Sequence, residues 1–88
     1  MRIRLSARFE RELRALDGVQ RERVQRALRQ FLLDPRHPSL HFEKLRGHEG
    51  LHSIRYSRGD RIFLRATAEA DLFEAQRLGP HDLYDRIR

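Results

Sequence analysis

The chain opens with a hydrophobic pattern of period two. Ile3 and Leu5 alternate with Arg2 and Arg4, which is typical of a strand with one buried and one exposed face. Ser6 follows at once, and its side-chain oxygen can accept the hydrogen bond of a helix N-cap. The first residues therefore predict a short strand that leads directly into a helix.

Two segments with helical periodicity come next. Apolar residues recur at steps of three and four residues, at Phe9, Leu13 and Leu16 in the first segment and at Val24, Ala27, Leu28, Phe31 and Leu32 in the second. Asp17-Gly18 separates the two segments. The sequence DPRHP at 34–38 ends the second, because proline disfavours helix in the residue before it. The pattern predicts an antiparallel helical pair.

After Leu40 the hydrophobic period returns to two. Short alternating runs are separated by turn sequences at residue 47, at 57–59 and at 69–71. A helical pair on one face of such a sheet gives an α+β architecture, with a small antiparallel-rich sheet that the N-terminal strand also joins. Because the sequence has 88 residues and no linker or repeat, we expect residues 1–88 to form a single domain.

The alternation also assigns strand residues to the two faces of the sheet. On the two central runs, Ile54, Ile62 and Leu64 are expected to face the helices. Ser53 and three arginines would then lie on an opposite, open face, the arginines being Arg55, Arg61 and Arg65. The last run, which contains Arg77, has a mixed pattern that leaves its inward face undecided.

Arginine dominates the charge of the chain. There are 19 Lys and Arg against 13 Asp and Glu, which gives +6 at pH 7, and Lys44 is the single lysine. The planar guanidinium matches phosphate and carboxylate oxygens, so a polyanion or an acidic partner is the expected ligand, with a merely solvated surface as the alternative. Cysteine is absent, and no segment has the apolar length of a signal peptide or a membrane span. We expect a cytoplasmic protein without membrane contact.

The sequence GPHDLYD at 79–85 groups polar side chains beside a break in the strand pattern. His81, Asp82 and Tyr84 can each exchange a proton or form hydrogen bonds, and Arg77 lies at the nearer end of the preceding run. A structural role is equally open at this point, since Tyr84 can pack its ring on the sheet and His81 can cap a turn. This segment is the candidate active end of the molecule.

The order of these motifs resembles the RelE/ParE superfamily of type II toxins, and within it the RelE-like messenger-RNA interferases. The similarity covers essentially the whole chain and rests on KLRG at 44–47, SIR at 53–55, Arg61 at the start of a strand, and the segment 79–84. It implies a bacterial toxin that a cognate acidic antitoxin protein holds inactive, with higher-order toxin–antitoxin complexes as a further possibility. Its ribonuclease members inhibit translation by cutting messenger RNA, mostly in the ribosomal A site, so messenger RNA and the ribosome are further implied partners.

Metal-independent RNA cleavage needs a base for the 2′-hydroxyl, cations for the phosphate and an acid for the departing 5′-oxygen. By resemblance, the phosphate-contacting residues of the catalytic site are Arg55 and Arg61, and its C-terminal catalytic or substrate-stacking positions are His81 and Tyr84. The expected RNA- and phosphate-binding positions are Lys44, Arg46, Arg65 and Arg77. His81 is the predicted proton carrier, because histidine exchanges a proton near neutral pH.

Ser53 departs from the family pattern. Many RelE-like ribonucleases carry lysine two places before the position of Arg55, and serine cannot serve as a cation. Two alternatives therefore stay open: a non-catalytic ParE-like toxin that acts on DNA gyrase, and an inactive relative that only binds antitoxin. His81 and Tyr84 favour the ribonuclease, since gyrase-directed relatives generally lack an acid or base there.

Two histidine pairs have the spacing of helical metal ligands, namely His37 with His41 and His48 with His52. Proline interrupts the first pair and glycine the second, and no carboxylate cluster accompanies either pair. We therefore predict neither a metal site nor a cofactor.

Overall fold

The computed structural model describes residues 1–86 and confirms the α+β architecture. Its elements are β1 (Arg2–Leu5), α1 (Ala7–Ala15), α2 (Gly18–Leu33), a 3₁₀ turn (Pro38–Leu40), β2 (Glu43–Lys44), β3 (Leu51–Ser57), β4 (Asp60–Ala66), β5 (Leu72–Pro80) and α3 (Leu83–Arg86). The five strands are ordered β1-β5-β4-β3-β2. β1 joins the sheet, as predicted, by pairing parallel with β5, and the other neighbours are antiparallel.

Side-chain caps fix the start of both long helices. The Ser6 hydroxyl accepts the backbone N–H of Phe9 at 3.1 Å at the start of α1. The Asp17 carboxylate accepts the N–H of Gln20 at 2.8 Å, so Asp17 both ends the first segment and caps α2. Within residues 1–86, no helix is long and apolar enough to cross a membrane.

The core lies between the helical pair and one face of the sheet. Phe31 of α2 is fully buried and meets the rings of Phe42 and Phe73 edge-on, at centroid distances of 5.0 and 5.8 Å. The predicted apolar stripe of α2 is wrong at Leu32, which is 47% exposed. Leu32 lies about 100° around the helix from Phe31, and this rotation turns it away from the sheet.

The two central strands separate apolar from charged side chains as predicted. Ile54, Ile62 and Leu64 belong to the core cluster with no solvent exposure. Arg55 and Arg61 are direct cross-strand partners on the opposite face, and the Arg55 side chain is exposed. The charged face is therefore formed by the same strands that supply the centre of the core.

That opposite face is not open at its centre, which corrects the prediction. Phe63 is fully buried there although it is not part of the core cluster, and its cross-strand partner Ser53 is only 2% exposed. The Tyr84 ring lies on Phe63 with the centroids 4.9 Å apart. The C-terminal segment therefore covers the middle of the sheet, and arginines flank a small apolar patch.

A bulge in β5 explains the mixed pattern of that strand. Consecutive residues of β4 pair with Arg77 and with Ala75, so Gln76 is an extra residue. Ala75 and Leu78 are both buried although they are three positions apart, because the extra residue shifts the alternation. Arg77 is thereby turned to the face that carries the other arginines.

Candidate functional site

A line of side chains along β4 forms the centre of the candidate site. Arg61, Phe63 and Arg65 are every second residue of β4 and therefore lie on the same face. Neighbours in this line are about 7 Å apart, which is the rise of two strand residues. Tyr84 packs on Phe63, so its ring lies between the strand positions of the two arginines. The C-terminal tyrosine is thus brought to the sheet arginines, as the candidate site requires.

Two aromatic contacts hold the ring of Tyr84. Its centroid is 4.9 Å from that of Phe63 and 5.4 Å from that of His48, both in edge-on geometry. Burial raises the pKa of the Tyr84 hydroxyl, and the nearby guanidinium groups oppose this shift only in part. The phenol therefore keeps its proton at neutral pH, and it can donate a hydrogen bond or a proton to a bound oxygen.

Tyr84 borders a cavity of about 430 Å³. The other residues that line this cavity are Ser6, Arg8, Arg65, Gln76 and Arg77. Guanidinium groups from α1, β4 and β5 therefore share one small space with a phenol hydroxyl. Arginine binds phosphate oxygens through charge-assisted hydrogen bonds, so the cavity combines phosphate-binding groups with a proton donor.

Glu12 of α1 contacts two of the three arginines that line this cavity. One carboxylate oxygen of Glu12 lies 3.3 Å from Nη2 and 3.4 Å from Nε of Arg77, and 3.7 Å from Nε of Arg8. The other oxygen accepts the backbone N–H of Leu78 at 2.8 Å. Because β1 pairs with β5 only as far as Ala75, Leu78 lies on an edge that β1 does not cover, and Glu12 satisfies its N–H.

Arg55 and Arg61 form a second cationic group at one end of the sheet. Like charges at directly opposite strand positions repel each other. Arg61 donates a hydrogen bond to the backbone carbonyl of His41 at 3.3 Å. Within residues 1–86, neither arginine forms an ion pair with a carboxylate. The pair therefore presents positive charge that an anion can neutralise.

His81 lies at the Arg61 end of the face. The His81 backbone N–H donates to the carbonyl of Gly59 at 2.9 Å, and Gly79, two residues earlier, is the β5 partner of Arg61. The imidazole is exposed, and no ring contact, hydrogen bond or ion pair within the described chain fixes it. The imidazole is thus accessible to solvent at this end of the sheet, whereas ring contacts hold Tyr84 in place.

Lys44 and Arg46 lie at the margin of the site. Both are exposed, and together with His48 they line a shallow depression of about 620 Å³ at the loop after β2. His48 connects this depression to Tyr84 through its ring contact. The two basic residues border the cluster without entering the Tyr84 cavity.

Sequence reasoning missed Arg8, Glu12 and His48. Arg8 and Glu12 are ordinary polar positions of an amphipathic helix, and only the packing of α1 along the edge of β5 brings them to the site. The spacing of His48 and His52 is that of metal ligands on a helix, but the structure directs His52 to the ring of Phe42. Within residues 1–86, no three metal-ligating side chains gather into a cluster.

Several solved structures of toxins have a similar fold. The YoeB/ParE toxin from Agrobacterium tumefaciens matches with a TM-score of 0.72 and 18% identity, over 92% of this chain and 99% of that one. The isolated E. coli RelE toxin matches with a TM-score of 0.67 and 25% identity, over 90% of this chain and 82% of that one. The intact E. coli RelBE toxin–antitoxin complex matches with a TM-score of 0.68 and 25% identity, over 90% of this chain and 94% of that one. No family model and no curated protein sequence matches the chain. On fold and structural similarity, the chain belongs to the RelE/ParE superfamily.

Proposed function

We propose that the protein is the toxin of a type II toxin–antitoxin pair and cleaves messenger RNA as a metal-independent endoribonuclease. The observation that carries this proposal is the cavity that Tyr84 shares with Arg8, Arg65 and Arg77, where burial raises the pKa of the Tyr84 hydroxyl. RNA cleavage needs this combination of a proton donor and fixed cations around the phosphate. The toxins named among the solved structures of the same fold support the proposal.

In the proposed reaction, the imidazole of His81 takes the proton of the 2′-hydroxyl at the cleavage site. The 2′-oxygen then attacks the adjacent phosphorus, the bond from phosphorus to the 5′-oxygen breaks, and Tyr84 donates a proton to that oxygen. The products are a 2′,3′-cyclic phosphate and a free 5′-hydroxyl. The arginines stabilise the extra negative charge on the phosphate in the transition state. His48 acts by holding the Tyr84 ring in position.

The lack of a cation at residue 53 is compatible with this reaction. Ser53 is almost completely buried beside Phe63 and cannot contact a phosphate. Arg8 and Arg77 supply charge in its place, from α1 and from the bulged strand. Glu12 holds both arginines and is therefore proposed as a positioning residue.

The proposed partners follow from the charge of the molecule. A net charge of +6 on 88 residues attracts an acidic antitoxin as well as RNA, and it steers both toward the arginine face. The solved RelBE complex supports an antitoxin partner for this chain. We place the toxin's action in the cytoplasm, on messages bound to the ribosome, with Lys44 and Arg46 contacting RNA beside the cavity.

The proposal is tested by measuring RNA cleavage with the parent protein and with His81→Gln. The substitution keeps the shape of the side chain but removes its proton exchange, and we expect cleavage to fall by roughly 10²- to 10⁴-fold. His37→Gln is the matched control, because His37 is an exposed histidine outside the site. Equal cleavage by His81→Gln and the control would remove His81 from the reaction.

The same experiment separates the ribonuclease from the gyrase-directed alternative. The parent protein is expressed without antitoxin, growth is followed, and the ends of messages on translating ribosomes are mapped. Growth arrest with new message ends supports the ribonuclease. Growth arrest with intact messages rejects it in favour of a non-catalytic target, and normal growth indicates an inactive relative.

A further inference from the structure

A second basic surface lies on the other side of Arg55. A groove of about 430 Å³ runs between α2 and the end of β3. Four arginines border it: Arg23 and Arg26 on α2, Arg55 on β3, and Arg58 in the following turn. We call it the arginine groove. It is separate from the Tyr84 cavity, and the two share no lining residue.

The charge of the arginine groove is almost uncompensated by the protein. Within residues 1–86, the one carboxylate within 4.0 Å of these four guanidinium groups is that of Glu22, at 3.9 Å from Arg26. Glu22 lies closer to Arg29, at 3.3 Å, so its interaction with the groove is weak. Four guanidinium groups around one groove repel each other, and a bound polyanion would relieve that repulsion.

The accessible chemistry of the groove favours a phosphate backbone over a protein segment. Its aliphatic lining residues, Ala27 and Leu40, are only 7% and 1% exposed, so they offer almost no surface to a hydrophobic anchor, and the half-buried ring of Tyr56 also lines the groove. Protein interfaces depend on such anchors. Accessible guanidinium groups beside a half-buried aromatic ring instead match single-stranded RNA, whose backbone is evenly charged and whose bases stack on such rings.

The position of Arg55 links the groove to the proposed reaction. Arg55 lines the groove and is the cross-strand partner of Arg61 on the catalytic face. An RNA chain that is cut on that face must continue beyond the cleaved phosphate, and the groove extends the basic surface at Arg55. We infer that the arginine groove binds the sugar-phosphate backbone of the RNA segment flanking the cleavage site. This inference rests on the proposed function, because it assumes that RNA occupies the catalytic face.

The test compares Arg23→Ala/Arg58→Ala with Arg11→Ala/Arg14→Ala, which removes the same charge from exposed positions outside the groove. The probe is a labelled single-stranded 2′-O-methyl RNA of about 15 nucleotides, which cannot be cleaved through its 2′-position. Each lost phosphate contact lowers the slope of log affinity against log salt by about 0.7, so the groove variant should lose about 1.4. Its affinity should fall on the order of tenfold, and the control should match the parent.

Three further measurements make the outcome decisive. Arg23→Lys/Arg58→Lys should restore the salt slope, and equal melting temperatures of all variants exclude a folding defect. A trinucleotide, used as a probe of the catalytic face alone, should bind parent and groove variant equally. If the groove variant and the control bind the long RNA alike, the inference is wrong. If the groove variant instead loses only affinity for poly-glutamate, the groove is an acidic-peptide site and the inference is equally wrong.

Because the probe cannot be cut, binding is measured independently of cleavage. Salt-dependent binding through the groove without any cleavage of ordinary RNA would reject the proposed ribonuclease and retain the groove as an RNA site. If ordinary RNA is cleaved and the groove variant has an unchanged salt slope, the ribonuclease is retained and the groove is rejected as an RNA site.

Discussion

On β3 and β4, the face that meets the helices carries Ile54, Ile62 and Leu64 without exposure, whereas the opposite face carries three arginines. Both faces come from the same strands, because successive strand residues point in opposite directions. On the first face, apolar side chains fill the space between sheet and helices. On the second face, Arg55 and Arg61 stand directly opposite each other. Within residues 1–86, neither forms an ion pair with a carboxylate. Like charges held together reduce stability, and in the proposed function an RNA phosphate offsets this repulsion.

The second face nevertheless has a packed centre of its own. Phe63 is fully buried there, with Tyr84 on top of it and His48 against the edge of that tyrosine. This small cluster lies outside the main core and holds a polar ring where the arginines converge. The comparison therefore separates residues that stabilise the fold from those that orient the proposed chemistry.

The largest effect is expected on the helix-facing side. Phe31→Asp would place a carboxylate among the rings of Phe42 and Phe73, where no water or cation can solvate it. Truncation of a buried phenylalanine alone costs about 3–5 kcal/mol, and small domains have about 5–15 kcal/mol in total. We expect Phe31→Asp to be largely unfolded by circular dichroism at 25 °C.

The matched control for this variant is Leu33→Asp on the same helix. Leu33 is 82% exposed, so the same new charge should change the unfolding free energy by no more than about 0.5 kcal/mol. Equal stability of the two variants would contradict the assignment of the buried face of α2.

A smaller loss is expected at the edge of β5. Glu12→Ala leaves the N–H of Leu78 without its acceptor and releases Arg77, and it should lower the unfolding free energy by about 1–3 kcal/mol. Glu12→Gln retains an acceptor for the N–H but not the charge. It should keep most of the stability and still lower kcat, with a smaller change in KM, because Arg77 is no longer held by a carboxylate. Unchanged kcat in both variants would show that Glu12 is purely structural.

High pH provides a test that involves both tyrosines of the chain. Burial raises the pKa of Tyr84, and burial with the nearby Asp60 and Glu12 charges raises the pKa of Tyr56 to about 12. In the unfolded chain both pKa values return to about 10, so stability is fully present below pH 10 and is lost as the pH rises toward 12. Denaturant midpoints at pH 9 and pH 11 measure the loss. If the tyrosinate absorbance of the folded protein rises with a midpoint near pH 10, the two tyrosine pKa values are not raised and the prediction is wrong.

The smallest expected change is an increase in the unfolding free energy, whereas the variants above lower it. Arg55→Gln removes one of two like charges at directly opposite strand positions and should raise the unfolding free energy by a few tenths of a kcal/mol. Arg36→Gln, at an exposed loop position, serves as the charge-matched control. A clear destabilisation by Arg55→Gln would mean that Arg55 has a structural partner and is not a free phosphate ligand. Thermal melts at low salt resolve the difference best, because salt screens the repulsion.

Much of the fold could be predicted from hydrophobic periodicity. The period of two separated Ile62 and Leu64 from Arg61 on β4, and the steps of three and four placed Phe31 on the buried side of α2. The pattern failed at β5, because the extra residue Gln76 shifts the alternation within one strand. Periodicity assumes a regular backbone and cannot locate such a bulge.

The candidate site was predictable only in part. The sequence located Tyr84 and the strand arginines, since they stand out as polar groups at the end of a run and on one strand face. It missed Glu12 and His48, whose contacts with the site depend on how α1 and the loop after β2 pack in space. Nothing in their sequence neighbourhood distinguishes them from solvated surface residues.

The most direct test of the central claim is the cleavage rate of Tyr84→Phe with a single-stranded RNA substrate at saturating concentration. The ring remains to pack on Phe63 and against His48, so the fold and the melting temperature should be retained. If the hydroxyl donates the proton to the departing 5′-oxygen, the rate should fall by roughly 10²- to 10⁴-fold at neutral pH, while RNA binding is nearly unchanged. Cleavage at the parent rate would contradict the account, because Tyr84 would then be a packing residue and the arginines would lack the proton donor that the proposed reaction requires.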